Sequence, residues 1–168
     1  MRIEPHPESE PLPVFDRARE RFGWLPNTIR VMARGTNAAD QYLDAGASNA
    51  GSTIPPLARE LIAVLVAEAN GCEYCRTAHL LAARALDSGG RDETVDAVVE
   101  VARRIQGTRG SLADAELAEA RSAGIDERML IDIAAIIAEN TLGNLINNLA
   151  RTEIDQVLVR ALDRAATS

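Results

Sequence analysis

From Leu57 to Ala69 the chain is apolar almost all round, with Leu61, Ile62, Ala63, Val64, Leu65, Val66 and Ala67 in one unbroken run. A helix of that kind is buried on most sides, so the rest of the chain has to pack around it. Pro55-Pro56 opens it, since proline is tolerated in a first helical turn, and Asn70-Gly71 is a stop signal. A turn that short folds the next helix back as the second arm of an antiparallel hairpin. The first arm carries two carboxylates, Glu60 and Glu68. A carboxylate on a buried helix costs several kcal/mol unless it is paired. Each is therefore expected to have a partner or an exposed position, the last-turn Glu68 most of all because the helix dipole opposes it there.

The second arm opens with Gly71-Cys72-Glu73-Tyr74-Cys75-Arg76-Thr77-Ala78-His79, which holds both cysteines and one of the two histidines. On a helix Cys72, Cys75 and His79 fall within a wedge of roughly 60°. Cysteines three apart on a helix can be bridged after modest adjustment of the first turn. A sulfur in that turn is acidified by the N-terminal dipole, and Arg76 adds to the effect. A bondable pair, an acidified sulfur and a nearby base are what a redox dithiol requires. Counting back from the turn, Glu60 lies within about one helical turn of His79 and Glu68 lies beside the cysteines. Geometry alone lets either carboxylate join the site.

Other uses of a cysteine pair fit less well. A c-type haem site needs His directly after the second Cys, where Arg76 stands. A structural zinc site needs four ligands; there is no third Cys, and His6 lies in a proline-rich stretch. Two inert core thiols remain an alternative. No metal or other cofactor is called for by the sequence.

The net charge is −7, which disfavours nucleic acid and anionic membranes as partners. The chain opens without a basic segment leading into an apolar one, and no uninterrupted apolar run approaches membrane-spanning length. A cytoplasmic location is expected, where a CxxC pair is more often catalytic than structural.

Only 3% of residues are aromatic against 46% hydrophobic, so the core must be aliphatic, as in close-packed helices. The 168 residues are read as one domain, 1–168, with 1–13 as an extended arm because of Pro5, Pro7, Pro11 and Pro13. Helices are expected over 14–22, 27–33, 38–49, 57–69, 72–87, 92–106, 111–123, 127–150 and 156–166, separated by glycine-containing or capping segments. Leu80, Leu81, Ala83 and Leu86 are expected to face inward on the fifth of these. Leu130, Ile133, Ile137, Leu145 and Leu149 form the apolar set of the long one. No strand run or internal repeat is visible, and the fold class is all-α, a single-domain bundle of eight or so helices.

Glu60, Cys72, Cys75 and His79 together spell E-x11-C-x2-C-x3-H. With Asn70-Gly71 ahead of the first cysteine, this resembles the core of the alkylhydroperoxidase D-like proteins of the carboxymuconolactone decarboxylase family. Asn144-Leu145-Ile146-Asn147-Asn148 with Thr152-Glu153-Ile154-Asp155, and Gly23-Trp24-Leu25-Pro26-Asn27, resemble segments of its peroxidase-related branch. The resemblance implies an all-helical fold assembled as a homo-oligomer, a trimer or hexamer, and reduction of a hydroperoxide substrate with an external dithiol as reductant. It implies that Cys75 attacks the peroxide, that Cys72 resolves it, and that Glu60 and His79 form a proton relay. Glu68 has no counterpart in the motif and is at most an accessory. Some peroxidatic members carry His where Tyr74 stands; on the helical wheel Tyr74 points away from His79 and is expected to be a packing aromatic. A decarboxylase-like lyase using Glu60 and His79, and a non-catalytic redox-sensing module, are the competing functions.

Overall fold

The computed structural model describes residues 1–87, 89 and 93–166. Among them nine helices run in sequence: α1 Pro13–Phe22, α2 Asn27–Met32, α3 Ala38–Ala50, α4 Pro56–Ala69, α5 Glu73–Leu86, α6 Glu93–Thr108, α7 Asp114–Ser122, α8 Glu127–Ala150 and α9 Gln156–Ala166. No strand occurs among the described residues. The fold is all-α.

Helix α4 lies at the centre, packed against α5, α6 and α8. Ala58, Ile62 and Val66 are fully buried in a cluster with Val98, Ala102, Ile133 and Ile136. Each large aliphatic side chain buried this way stabilises the fold by about 1.5–3 kcal/mol. A second cluster joins α1, α2 and α3 around Phe15, Ile29 and Met32.

The α4–α5 hairpin is the element that positions the cysteines. Gly71 has φ +64°, a left-handed conformation that favours glycine. The Gly71 amide bonds to Glu68 O at 3.2 Å and the Cys72 amide to Ala67 O at 2.8 Å. Those paired bonds satisfy the last carbonyls of α4 and reverse the chain. Cys72 then caps α5, its sulfur accepting from the Cys75 amide at 3.3 Å.

Residues 1–12 are not helical and lie against their own chain. The Arg2 amide donates to Ala150 O at 2.6 Å, and the His6 amide donates to Arg30 O at 2.9 Å. Arg30 Nε returns a bond to His6 O at 2.9 Å.

Several details depart from expectation. The break at Ser88 and Gly90 and the start of α6 at Asp92 lie outside the described residues. Helix α6 runs on to Thr108, whose hydroxyl donates to Arg104 O at 2.8 Å. Helix α7 begins three residues after Ser111, where Glu116 caps the Ala113 amide at 2.8 Å. Of the expected inward positions on α5, Ala83 is buried, Leu80 and Leu81 are half-buried and Leu86 is exposed; Tyr74, Cys75 and Thr77 are buried as well. Leu145 and Leu149 are 60% and 65% exposed, because α8 turns an asparagine face inward over its second half. By length and composition α8 is apolar enough to cross a membrane. Here it packs against α2, α3, α4, α5 and α6 and buries Asn140, Asn144 and Asn147.

Candidate active site

All five residues singled out in the sequence lie on the α4–α5 hairpin, and the fold brings four of them together. Cys72 and Cys75 are disulfide-bonded, with Cα atoms 5.4 Å apart. Both are almost fully buried. One turn further along α5, His79 Nδ1 lies 2.8 Å from Glu60 Oε2. Both side chains keep about a quarter of their surface exposed, at 24% and 28%. Because Glu60 occupies Nδ1, Nε2 is the ring atom left to exchange protons. Glu68 lies elsewhere: it pairs with Arg76 at 3.2 Å on the surface, both about half exposed. It lines neither of the cavities beside the cysteines. Arg76 is thereby turned towards Glu68.

A cavity of about 330 Å3 joins Cys75 to the His79–Glu60 pair. Its walls come from α1–α5, α8 and α9, and include Phe22, Trp24, Tyr42 and Leu158. Its polar lining beyond the pair includes Glu139, which accepts from Asn49 Nδ2 at 2.7 Å and lies 3.9 Å from Arg21 Nη2. Tyr42 is also there; burial, reinforced by the Glu139 charge, pushes its phenol well above the ordinary range. A second cavity, of about 360 Å3, borders Cys72 and is lined by Glu73, Asn148, Arg151 and Thr152. Each cysteine therefore borders a different cavity.

Two features were not foreseen. Tyr74, between the cysteines, is more than a packing aromatic: its hydroxyl donates to Asp155 Oδ2 at 2.6 Å, and it borders both cavities. Asp155 also accepts from the Asn27 amide at 3.0 Å, which ties α2 and the start of α9 to the dithiol turn. Burial raises the pKa of Asp155, opposed by the hydrogen bonds from Tyr74 and Asn27. Burial, then the Asp155 charge, raises that of Tyr74, so the phenol stays protonated. The helical wheel sets Tyr74 apart from His79, yet both line the Cys75 cavity.

The second is Asn147, whose Nδ2 lies 3.3 Å from Cys75 Sγ. Asn140, Asn144 and Asn147 fall within a wedge of roughly 60° on α8. An asparagine stripe on an otherwise apolar long helix is the signal that would have found it. Among the described residues no group of three or more His, Cys, Asp or Glu side chains is placed to hold a metal ion.

The fold is shared with solved proteins. It is similar to a peroxidase-related protein from Silicibacter sp. TM1040, at 21% identity over 93% of each chain with a TM-score of 0.77. It is similar to a peroxidase-related protein from Ralstonia eutropha JMP134 described as an alkylhydroperoxidase AhpD core, at 20% identity over 93% of each chain and a TM-score of 0.76. It is also similar to the debrominase Bmp8, solved in complex with 2,3,4-tribromopyrrole, at 22% identity over 98% of this chain and 97% of that one and a TM-score of 0.73. At these identities the likeness is one of fold. No curated protein matches the sequence. The carboxymuconolactone decarboxylase family matches over residues 36–120, about half of the chain, a span that contains the whole α4–α5 hairpin. The chain belongs to the carboxymuconolactone decarboxylase family, with the fold of its alkylhydroperoxidase D-like, peroxidase-related proteins.

Proposed function

We propose that the chain is a thiol-dependent hydroperoxide reductase working through a Cys72–Cys75 dithiol–disulfide cycle. The observation that carries this is the sharing of one cavity by Cys75 and the hydrogen-bonded His79–Glu60 pair. In the reduced protein, His79 takes the Cys75 proton, and the Glu60 carboxylate stabilises the imidazolium. The thiolate attacks one oxygen of ROOH. The S–O bond forms as the O–O bond breaks, and the leaving RO⁻ takes the proton from His79 to depart as ROH. Cys72 then displaces hydroxide from the Cys75 sulfenic acid, giving the disulfide and water. An external dithiol restores both thiols by exchange, itself becoming a disulfide. Cys72 has its own cavity, so the reductant need not enter by the peroxide's route.

The aromatic lining of the Cys75 cavity favours a second reading. A cavity lined by Phe22, Trp24 and Tyr42 together with Cys75 suits a halogenated aromatic ring, and Bmp8 is a debrominase of this fold. A lyase would use Glu60 and His79 without the cysteines, and a redox sensor would oxidise once without turnover.

Peroxide consumption with a general dithiol separates these readings, with a tribromopyrrole as the parallel substrate. Sustained loss of peroxide supports the reductase. Bromide release with no peroxide turnover favours dehalogenation, and one-time thiol oxidation favours the sensor. We further infer that the chain functions in the cytoplasm as one domain and as a homo-oligomer, a trimer or hexamer, which would cover the apolar outer face of α8.

A further inference from the structure

Asn147 is 4% exposed. Its Nδ2 lies 3.3 Å from Cys75 Sγ, while its Oδ1 is buried with no hydrogen-bond partner among the described residues. It borders both the Cys75 cavity and the Cys72 cavity. Its neighbours on α8 are engaged otherwise. Asn140 Nδ2 donates to Ile136 O at 2.9 Å. Asn144 Oδ1 accepts from Asn70 Nδ2 at 3.3 Å, and Asn148 Nδ2 donates to Asn70 O at 2.8 Å. Those contacts lock α8 to the hairpin turn. Asn147 alone in this group reaches a sulfur and retains an unused acceptor.

Resting on the peroxide reading above, we propose that Asn147 is a further catalytic side chain of the site. Its Nδ2–H holds the Cys75 thiolate, and its Oδ1 accepts the hydroxyl of the bound hydroperoxide. A thiolate can only accept, so the amide meets it with an N–H, and that bond favours the ionised form. The carbonyl is then left for a donor. Before attack that donor is the O–H of ROOH; after attack it is the O–H of the Cys75 sulfenic acid, the same hydrogen on the same oxygen. The amide neither gains nor loses a proton. It orients the oxygen that is transferred while the S–O bond forms and the O–O bond breaks. Cys72 has a different donor, the Cys75 backbone amide at 3.3 Å. No side chain other than Asn147 gives Cys75 Sγ a hydrogen bond among the described residues, so substitution there acts on the attacking sulfur.

The test uses the Cys72→Ser protein, in which Cys75 is the lone thiol, with Asn147 unchanged or replaced by Ala or Asp. Iodoacetamide alkylation is followed against pH, and thermal unfolding is recorded alongside. The alkylation midpoint should rise by about one pH unit in Asn147→Ala, roughly a tenfold loss of thiolate below the midpoint, and further in Asn147→Asp, whose carboxylate repels the thiolate. A purely structural role would lower the unfolding temperature and leave the midpoint in place. Above the midpoint, where the thiol is ionised in every variant, Asn147→Ala should still react with cumene hydroperoxide several-fold more slowly than the parent. In the reduced wild type, the Asn147 side-chain amide proton should titrate with the Cys75 midpoint by NMR, a readout that survives if both variants fail to fold. An unmoved midpoint, or an amide proton that does not titrate if neither variant folds, overturns the proposal. If the midpoint stays while the wild type consumes peroxide, Asn147 is excluded and the reductase stands. If the midpoint rises but the wild type consumes no peroxide, the reductase reading and the Oδ1 role both fail, and the thiolate contact stands.

Discussion

His79 and Glu60 meet across the α4–α5 hairpin, Nδ1 to Oε2, at 2.8 Å. Among the described residues nothing comparable links Glu68 to the site; that carboxylate pairs with Arg76 at the surface. Glu60→Gln should therefore slow Cys75 alkylation at neutral pH by about tenfold, the loss expected for weakening one charge-assisted hydrogen bond. Glu68→Gln should change it less than twofold, in keeping with the small weight of exposed ion pairs. Alkylation rates for the two variants decide the matter; the reverse ordering would remove Glu60 from the relay.

Tyr74 and Asp155 form the buried contact between the dithiol turn and the start of α9. Tyr74→Phe removes the donor and leaves a buried carboxylate oxygen without it. The cost should be about 1–3 kcal/mol. Urea unfolding would measure it, and an unchanged midpoint would mean that water replaces the hydroxyl freely.

Both tyrosines of the chain, Tyr42 and Tyr74, are held above their ordinary pKa, in each case chiefly by burial. A neutral acid whose folded pKa is raised contributes stability that is present below its unfolded value, about 10, and is lost as pH rises beyond it. The folded protein should show no tyrosinate absorbance at pH 10.5, while the urea-unfolded chain should show about three quarters of the full signal. Unfolding free energy should fall steeply above pH 10. Early ionisation of either phenol in the folded protein would contradict the closed packing of this cavity.

Ile131, Leu145 and Leu149 stand exposed on α8, and an apolar face of that kind is commonly covered by a second copy of the chain. Light scattering should give a trimer or hexamer at micromolar concentration. The pair Leu145→Glu and Leu149→Glu should shift it towards monomer. A wild-type monomer would defeat the assembly reading.

Much of the site was legible because it is local. Asn70-Gly71 dictates the turn, the turn dictates the hairpin, and the hairpin carries Glu60, Cys72, Cys75 and His79 at helical spacings. Leu145 and Leu149 were less legible. Periodicity finds an apolar stripe, but on α8 the inward face of the second half is occupied by Asn140, Asn144 and Asn147. Which stripe turns inward depends on what the hairpin presents to it, and that is a tertiary fact. Asp155 was out of reach for the same reason, since only folding brings it to Tyr74 from 81 residues away.

The division of labour between the sulfurs has opposing terms. Cys72 caps α5 and accepts the Cys75 amide, which acidifies it. Cys75 shares its cavity with His79 and accepts from Asn147. The base and the side-chain donor should outweigh the terminus effect of roughly 0.3–1 kcal/mol. Cys72→Ser given one equivalent of peroxide should yield a trappable sulfenic acid on Cys75. Rapid labelling of Cys72 in Cys75→Ser, with Cys75 silent in the other variant, would exchange the roles.

Every role proposed for these side chains rests on turnover of peroxide by the Cys72–Cys75 dithiol. The most direct test is continuous peroxide consumption with excess dithiothreitol, comparing wild type with Cys75→Ser. Many turnovers per subunit are expected in the wild type, with loss of at least about a hundredfold in rate in Cys75→Ser. Equal rates in the two proteins, or a wild type that oxidises once and stops, would contradict it.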